Sequence, residues 1–182
     1  MSGKPDGSSR RSWGWHPLTP EWACRVVDAA GVRPGERVLD LGAGTGALTA
    51  PLLAAGARVT AVELHAGRAE RLRQRFGDDV RVLELDLREL RWPHQPFRVV
   101  ASPPYSVTTG LVRALLAADR LVAADLVVQR GAAGRLVDRP PRARHTRHRR
   151  LDLGLRVPRG AFAPPPRVDS VVLRISRRGR ST

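Results

Sequence analysis

A strand that runs straight into a glycine turn and then into a helix constrains this chain more than any other feature. The segment is Val38-Leu39-Asp40-Leu41-Gly42-Ala43-Gly44-Thr45-Gly46. Glycine at every second position lets the backbone bend sharply and lets a ligand approach it closely. The helix that follows offers unpaired N–H groups at its start. The spacing is Gly-x-Gly-x-Gly, not the Gly-x-Gly-x-x-Gly of dinucleotide sites. A turn of this kind belongs to an open α/β sheet, whose ligands sit beyond the carboxyl ends of parallel strands.

The rest of the chain supplies such a sheet. Arg37–Leu41, Arg58–Glu63, Val80–Leu85, Phe97–Ala101 and Asp125–Val128 read as short buried strands. Helical patterns lie over Pro20–Ala30 (with Thr19 as its N-cap), through Leu48, Leu52 and Leu53, over Arg68–Phe76 and around Leu111–Ala117. Strands alternating with helices imply parallel pairing through right-handed crossovers. Leu151–Val157 and Val168–Ser176 are strand-like with a Pro-rich turn between them, which predicts an antiparallel hairpin at one edge. The prediction is a Rossmann-like α/β fold with a mostly parallel seven-stranded sheet. At 182 residues the chain accommodates one such domain, placed at 16–176. A Gly/Ser/Arg-rich arm with Trp13 and Trp15 is expected to be flexible over residues 1–15, and a basic tail covers 177–182. Arg130–Arg150 holds eight arginines with Pro140 and Pro141 in its middle, and reads as a loop or broken helices.

Acids mark the strand ends beside the glycine turn. Asp40 is placed to meet an ammonium group, which S-adenosylmethionine has and NAD lacks. Glu63 closes the second strand, where a carboxylate takes both hydroxyls of a ribose. Asp86 follows the third strand, placed to accept from an adenine amine. Each acid alone reads as a solvated surface residue; the three at consecutive strand ends beside the glycine turn favour the methyl donor, with a nucleotide-binding domain of another kind as the alternative. The fourth strand ends in Ser102-Pro103-Pro104-Tyr105. Two prolines fix the backbone and remove donors, leaving the Ser102 and Pro103 carbonyls as a rigid acceptor wall for a planar amine. The tyrosine ring suits stacking on a base.

These motifs, with Phe162-Ala163-Pro164-Pro165-Pro166-Arg167-Val168-Asp169-Ser170, resemble the rRNA adenine N6-methyltransferases. That family comprises the Erm macrolide-resistance methylases and the KsgA-type dimethyladenosine transferases. The Arg-rich arm and the Arg-Val-Val-Ala-Ser-Pro-Pro-Tyr stretch resemble its Erm branch, in particular short members without the helical C-terminal RNA-binding domain. The resemblance implies a class I S-adenosylmethionine-dependent fold and methyl transfer to an adenine of 23S rRNA, with macrolide-type resistance as its consequence. It implies cofactor contacts from His16, Leu18, Asp40, Gly42, Gly44, Gly46, Glu63, Leu64, Asp86, Leu87 and Ser102. It implies a catalytic wall of Ser102, Pro103, Pro104 and Tyr105, with Tyr105 and Phe162 on the faces of an extruded base. Ser102 stands where the family usually has Asn. Ser-Pro-Pro-Tyr also occurs in DNA amino-methyltransferases, which keeps such an enzyme as an alternative, beside a small-subunit rRNA dimethyltransferase and a non-catalytic RNA-binding module.

Charge agrees with an RNA partner. Lys and Arg total 32 against 17 acids, a net +15, and such an excess seeks polyanions. Arg10 and Arg11 in the arm, Arg142, Arg144, Arg147, Arg149 and Arg150 in the basic stretch, and the tail are expected to grip single-stranded or unstacked loop RNA. Lys4 is the only lysine; arginine's planar fork suits phosphate and base stacking. Cys24 is alone, so no internal disulfide forms, and the five histidines show no metal-ligand spacing. No apolar run approaches a bilayer span and no secretory signal precedes the domain. A cytoplasmic monomer without a metal is expected.

Overall fold

The structure, a computed structural model, describes residues 16–179. Seven strands form one sheet in the order β3-β2-β1-β4-β5-β7-β6. They are β1 (Arg37–Leu41), β2 (Arg58–Glu63), β3 (Val80–Glu84), β4 (Phe97–Ala101), β5 (Leu121–Gln129), β6 (Arg149–Val157) and β7 (Ser170–Arg177). β1 to β5 pair in parallel, and β7 lies antiparallel between β5 and β6. The mostly parallel sheet with its C-terminal antiparallel pair is the architecture the alternation predicts.

Successive residues of each central strand enter opposite cores, as a sheet covered on both faces requires. Val38, Val100, Val127 and Val172 join the core under α1 (Pro20–Ala30), α2 (Thr49–Ala54) and α3 (Ala66–Phe76). Leu39, Val99, Leu126 and Leu173 join the core under α4 (Thr108–Ala117) and α5 (Arg130–Asp138). The C-terminus of α1 is held from the sheet. Arg174 Nη2 donates to the Ala29 carbonyl at 2.7 Å and Arg98 Nη1 to that of Ala30 at 3.2 Å. These guanidiniums are aimed in turn by Asp125 and Glu36, and cations suit a helix C-terminus.

Residues 130–138 form a helix that ends before Pro140 and Pro141, and 146–148 form a short 3-10 helix, so of the two readings of this stretch broken helices is the one observed. Gly131 and Gly134 depress the local propensity of the first helix, by about 1 kcal/mol each, but Ala133 and Leu136 are buried against the sheet and packing decides. Among the arginines beyond α5, one expectation needs correction, that for Arg149. Because β7 inserts antiparallel, β6 runs parallel to β5 and begins where β5 begins. The connection into it lies against the α4–β5 turn. There His145 N–H donates to the Leu116 carbonyl at 3.1 Å, and Asp119 meets His145 at 2.7 Å and Arg144 at 3.3 Å. Arg142, Arg144, Arg147 and Arg150 therefore stand at the strand-start edge, opposite the glycine turn. Arg149 is not an RNA-facing residue: it is buried, 4% exposed, and donates to the Ala118 carbonyl at 3.2 Å.

Candidate functional site

A cavity of about 1200 Å³ opens where β1, β2 and β4 end, walled on one side by residues 16–18. Its floor is the glycine turn. Gly42 and Ala43 N–H both donate to the Val62 carbonyl, at 2.8 and 3.0 Å, which stitches the turn to β2. Gly42 (φ 74°) and Gly44 (φ 60°) occupy the left-handed region that favours glycine. A Cβ on Gly42 would lie 3.1 Å from Pro104 Cδ, so this glycine lets the turn and the Pro-Pro wall share one space. Gly46 does something else. A Cβ there would fall 2.5 Å from the Phe76 ring, so the third glycine seats α3 against the turn and does not line the cavity.

The acids come together as the sequence predicts, each with a partner. Glu63, nearly buried, accepts from Gly44 N–H at 2.8 Å and His65 N–H at 2.9 Å, with Arg68 at 3.5 Å. Asp40 is 1% exposed and accepts from the Thr49 hydroxyl at 2.7 Å. Burial pushes its carboxyl up to about 7, with Glu63 adding to the rise and the Thr49 hydrogen bond opposing it. Asp86 lies at the cavity rim and is clasped by the Arg88 guanidinium at 2.6 Å, which holds its carboxyl down at about 2. An amine reaching Asp86 thus competes with Arg88 for its oxygens. Leu64, 57% exposed, and Leu87 lie beside these acids in the lining.

Ser102, Pro103, Pro104 and Tyr105 face the same cavity from the end of β4. The Tyr105 hydroxyl meets the Ser170 hydroxyl at 3.1 Å. Ser170 closes the C-terminal signature, so that motif braces the wall. Its beginning holds the opposite wall: Thr19 N–H donates to the Ala161 carbonyl at 2.8 Å, Ala163 N–H to that of Pro17 at 3.0 Å, and His16 Nδ1 lies 2.9 Å from the Pro164 carbonyl. Leu18 bridges Phe162. Phe162 is therefore not a base-stacking residue; it is 4% exposed, inside the core beneath Leu18, and absent from the lining.

Sequence reasoning missed Thr49, Arg68, Arg88, Trp92 and Ser170. Ser170 alone had a signal, as the end of the signature. It also missed Arg159 and Arg167, which with Arg130 of the basic stretch flank Ser170 on the cavity's edge of the sheet; all three side chains are exposed. Arg10 and Arg11 lie outside the described residues. Among the described residues no three His, Cys, Asp or Glu form a metal-holding group, and no helix is long and apolar enough to cross a membrane.

The family model for ribosomal RNA adenine dimethylase matches residues 10–182. The chain belongs to the ribosomal RNA adenine dimethylase family. Within it, the chain is 37% identical over 193 residues to the ribosomal RNA small subunit methyltransferase A of Synechococcus elongatus, covering 91% of this chain and 68% of that protein. The Cupriavidus taiwanensis protein of the same name is 33% identical over 163 residues, 82% of this chain. The chain spans only 59% of that relative's length. The crystal structure of the 23S rRNA methyltransferase ErmE superposes with a TM-score of 0.79 at 29% identity, covering 90% of this chain and 70% of ErmE. Members of this dimethylase family use S-adenosylmethionine. The residues present fit that group: a carboxyl raised by burial that an ammonium group would meet, a glycine floor without side chains, and an exposed leucine for a flat ring.

Proposed function

We propose that this chain transfers a methyl group from S-adenosylmethionine to the N6 amine of an adenine in ribosomal RNA. One observation carries the reading: the acid-and-glycine set and the Ser102–Tyr105 wall line the same cavity. When bound, the cofactor supplies an electrophilic methyl on sulfur. Asp40, Glu63, Gly44 and Leu64 would hold it, and Asp86 would do so once released by Arg88. An adenine amine is a weak nucleophile because its lone pair is delocalised into the ring. The Pro103 carbonyl and Ser102 hydroxyl, as acceptors, draw on its N–H groups and restore the lone pair to nitrogen. Tyr105, braced by Ser170, stacks on the extruded base. The rest is positioning, and the proton that the methylated amine must shed would pass to solvent through the cavity mouth. Arg130, Arg159 and Arg167, on the same edge, grip the flanking phosphates.

The target we assign is an adenine of 23S rRNA, with macrolide-type resistance as the consequence, in a cytoplasmic monomer. The superposition on ErmE supports this. A small-subunit rRNA target is the second reading, favoured by the names of the sequence relatives. Tritiated cofactor offered with 23S rRNA, 16S rRNA and duplex DNA separates them. Label on N6 of a 23S adenine is expected. Label confined to 16S moves the target to the small subunit, and label in DNA or nowhere overturns the proposal.

A further inference from the structure

The edge opposite the cavity carries a second basic feature that the site does not use. β1, β2 and β3 each place an arginine at or beside their first residue: Arg37, Arg58 and Arg81. Arg37 is aligned with Arg58 and Thr60 with Arg81. Aligned neighbours, and residues two apart on a strand, share a face. All three arginines therefore rise on one face, the one Leu39 occupies further along β1. The connection between β3 and β4, residues 85–96, contains no helix, and Arg58 and Arg81 are exposed. The three line an open groove of about 530 Å³ together with Thr60 and Asp79. Arg37 donates to Gln95 at 2.6 Å. Arg58 and Arg81 have no carboxylate partner among the described residues, whereas Arg73, Arg88, Arg98, Arg144, Arg150 and Arg174 all do. With Asp79 counted, the groove keeps a surplus of two positive charges.

We infer that this groove binds the phosphate backbone of a second segment of the RNA whose adenine enters the cavity. The inference rests on the proposed RNA substrate. An open, unpaired cluster of planar donors suits a chain of phosphates better than a small anion, which needs an enclosed site. The groove adjoins edge strand β3, and a strand of five or six residues spans roughly 20 Å. An RNA strand passing round that edge reaches the groove from the cavity, whereas a fragment of three nucleotides does not.

The test compares wild type with Arg58→Ala/Arg81→Ala, both substitutions being on exposed side chains. Binding of a long rRNA fragment and of a trinucleotide around the target adenine is measured against salt, beside methyl transfer at saturating RNA. For the long fragment the log–log salt slope is expected to shrink by about 1.4, at about 0.7 for each single-strand phosphate contact. The trinucleotide slope, the cofactor affinity and the saturated rate are expected to stay unchanged. An unchanged slope with the long fragment overturns the inference. So does inorganic phosphate binding at the groove, seen by amide chemical shifts, without competition from the long fragment. If wild type binds the long fragment but methylates no RNA, the functional proposal falls while the groove still stands or falls by its slope.

Discussion

Where β1, β2 and β4 end, every carboxylate lining the cavity is already engaged: Asp40 by Thr49, Glu63 by Gly44 and His65, Asp86 by Arg88. Where β1, β2 and β3 begin, Arg58 and Arg81 line an open groove that also holds Asp79, but neither has an ion-pair partner among the described residues. Asp40 and Glu63 of the first arrangement sit in low dielectric, where geometry and burial magnify each contact. The second is solvent-facing, where contacts are additive and screened by salt. A small cofactor suits the former and a polyanion the latter. Substitutions at the two edges should therefore differ in size and in kind.

The largest effect is expected at Glu63, whose two oxygens hold the glycine turn and the start of α3. Glu63→Ala leaves two backbone N–H groups without their acceptor, at about 1–3 kcal/mol each if they stay dry. Cofactor affinity measured by calorimetry should fall at least 100-fold; a change under threefold would break the comparison at its stronger end. Next comes Tyr105. Tyr105→Ala should slow single-turnover methyl transfer to rRNA by roughly 10- to 100-fold, since stacking on a base is worth about 1–3 kcal/mol. Tyr105→Phe loses only the Ser170 hydroxyl, a neutral hydrogen bond of about 1 kcal/mol, and should slow transfer by less than tenfold. Wild-type transfer by the alanine variant would remove the base from this wall.

Asp40 gives a smaller effect with a definite sign. Its carboxyl is raised from 3.8 to about 7, so the folded protein keeps a proton that the unfolded chain releases. Stability of the ligand-free protein should decline as pH rises through that interval and level off above it, by a few kcal/mol at about 1.4 per unit. Asp40→Asn should flatten the decline in urea melts between pH 5 and 8, while weakening cofactor binding. A decline of equal size in the variant would assign it elsewhere. The smallest effects belong to the arginines that enter β6. Arg147→Ala should alter the RNA salt slope by no more than about 0.7. Arg149→Ala should lower the melting temperature and leave the slope alone, because Arg149 is buried. The reverse pattern would mean that Arg149 reaches RNA.

The cavity was legible because its determinants are local. A strand, an acid and a glycine turn stand within nine residues, and a parallel sheet brings its strand ends to one edge whatever the crossovers do. Where the arginine stretch lies was not legible, for the opposite reason. Which edge it occupies depends on β7 pairing between β5 and β6, a non-local choice that leaves no pattern in residues 139–150. Phe162 and Gly46 failed similarly. A motif names the residue, but whether its ring or its missing side chain faces the ligand or the core is set by Leu18 and Phe76, from 144 and 30 positions away.

The pairing of residues 17–19 with 161–163 has a consequence for how the protein comes into being. His16 and its partner Pro164 are 148 positions apart, so at about 5–20 residues per second the wall of the cavity waits on the order of ten seconds for the segment that holds it. A nascent chain exposes the glycine turn and its acids early but has nothing to seat residues 16–18 over them. Closing of the pocket is thus tied to emergence of the last hairpin. On the proposed function, the growing polypeptide would gain its methyl donor late, after most of the domain has left the ribosome that is making it.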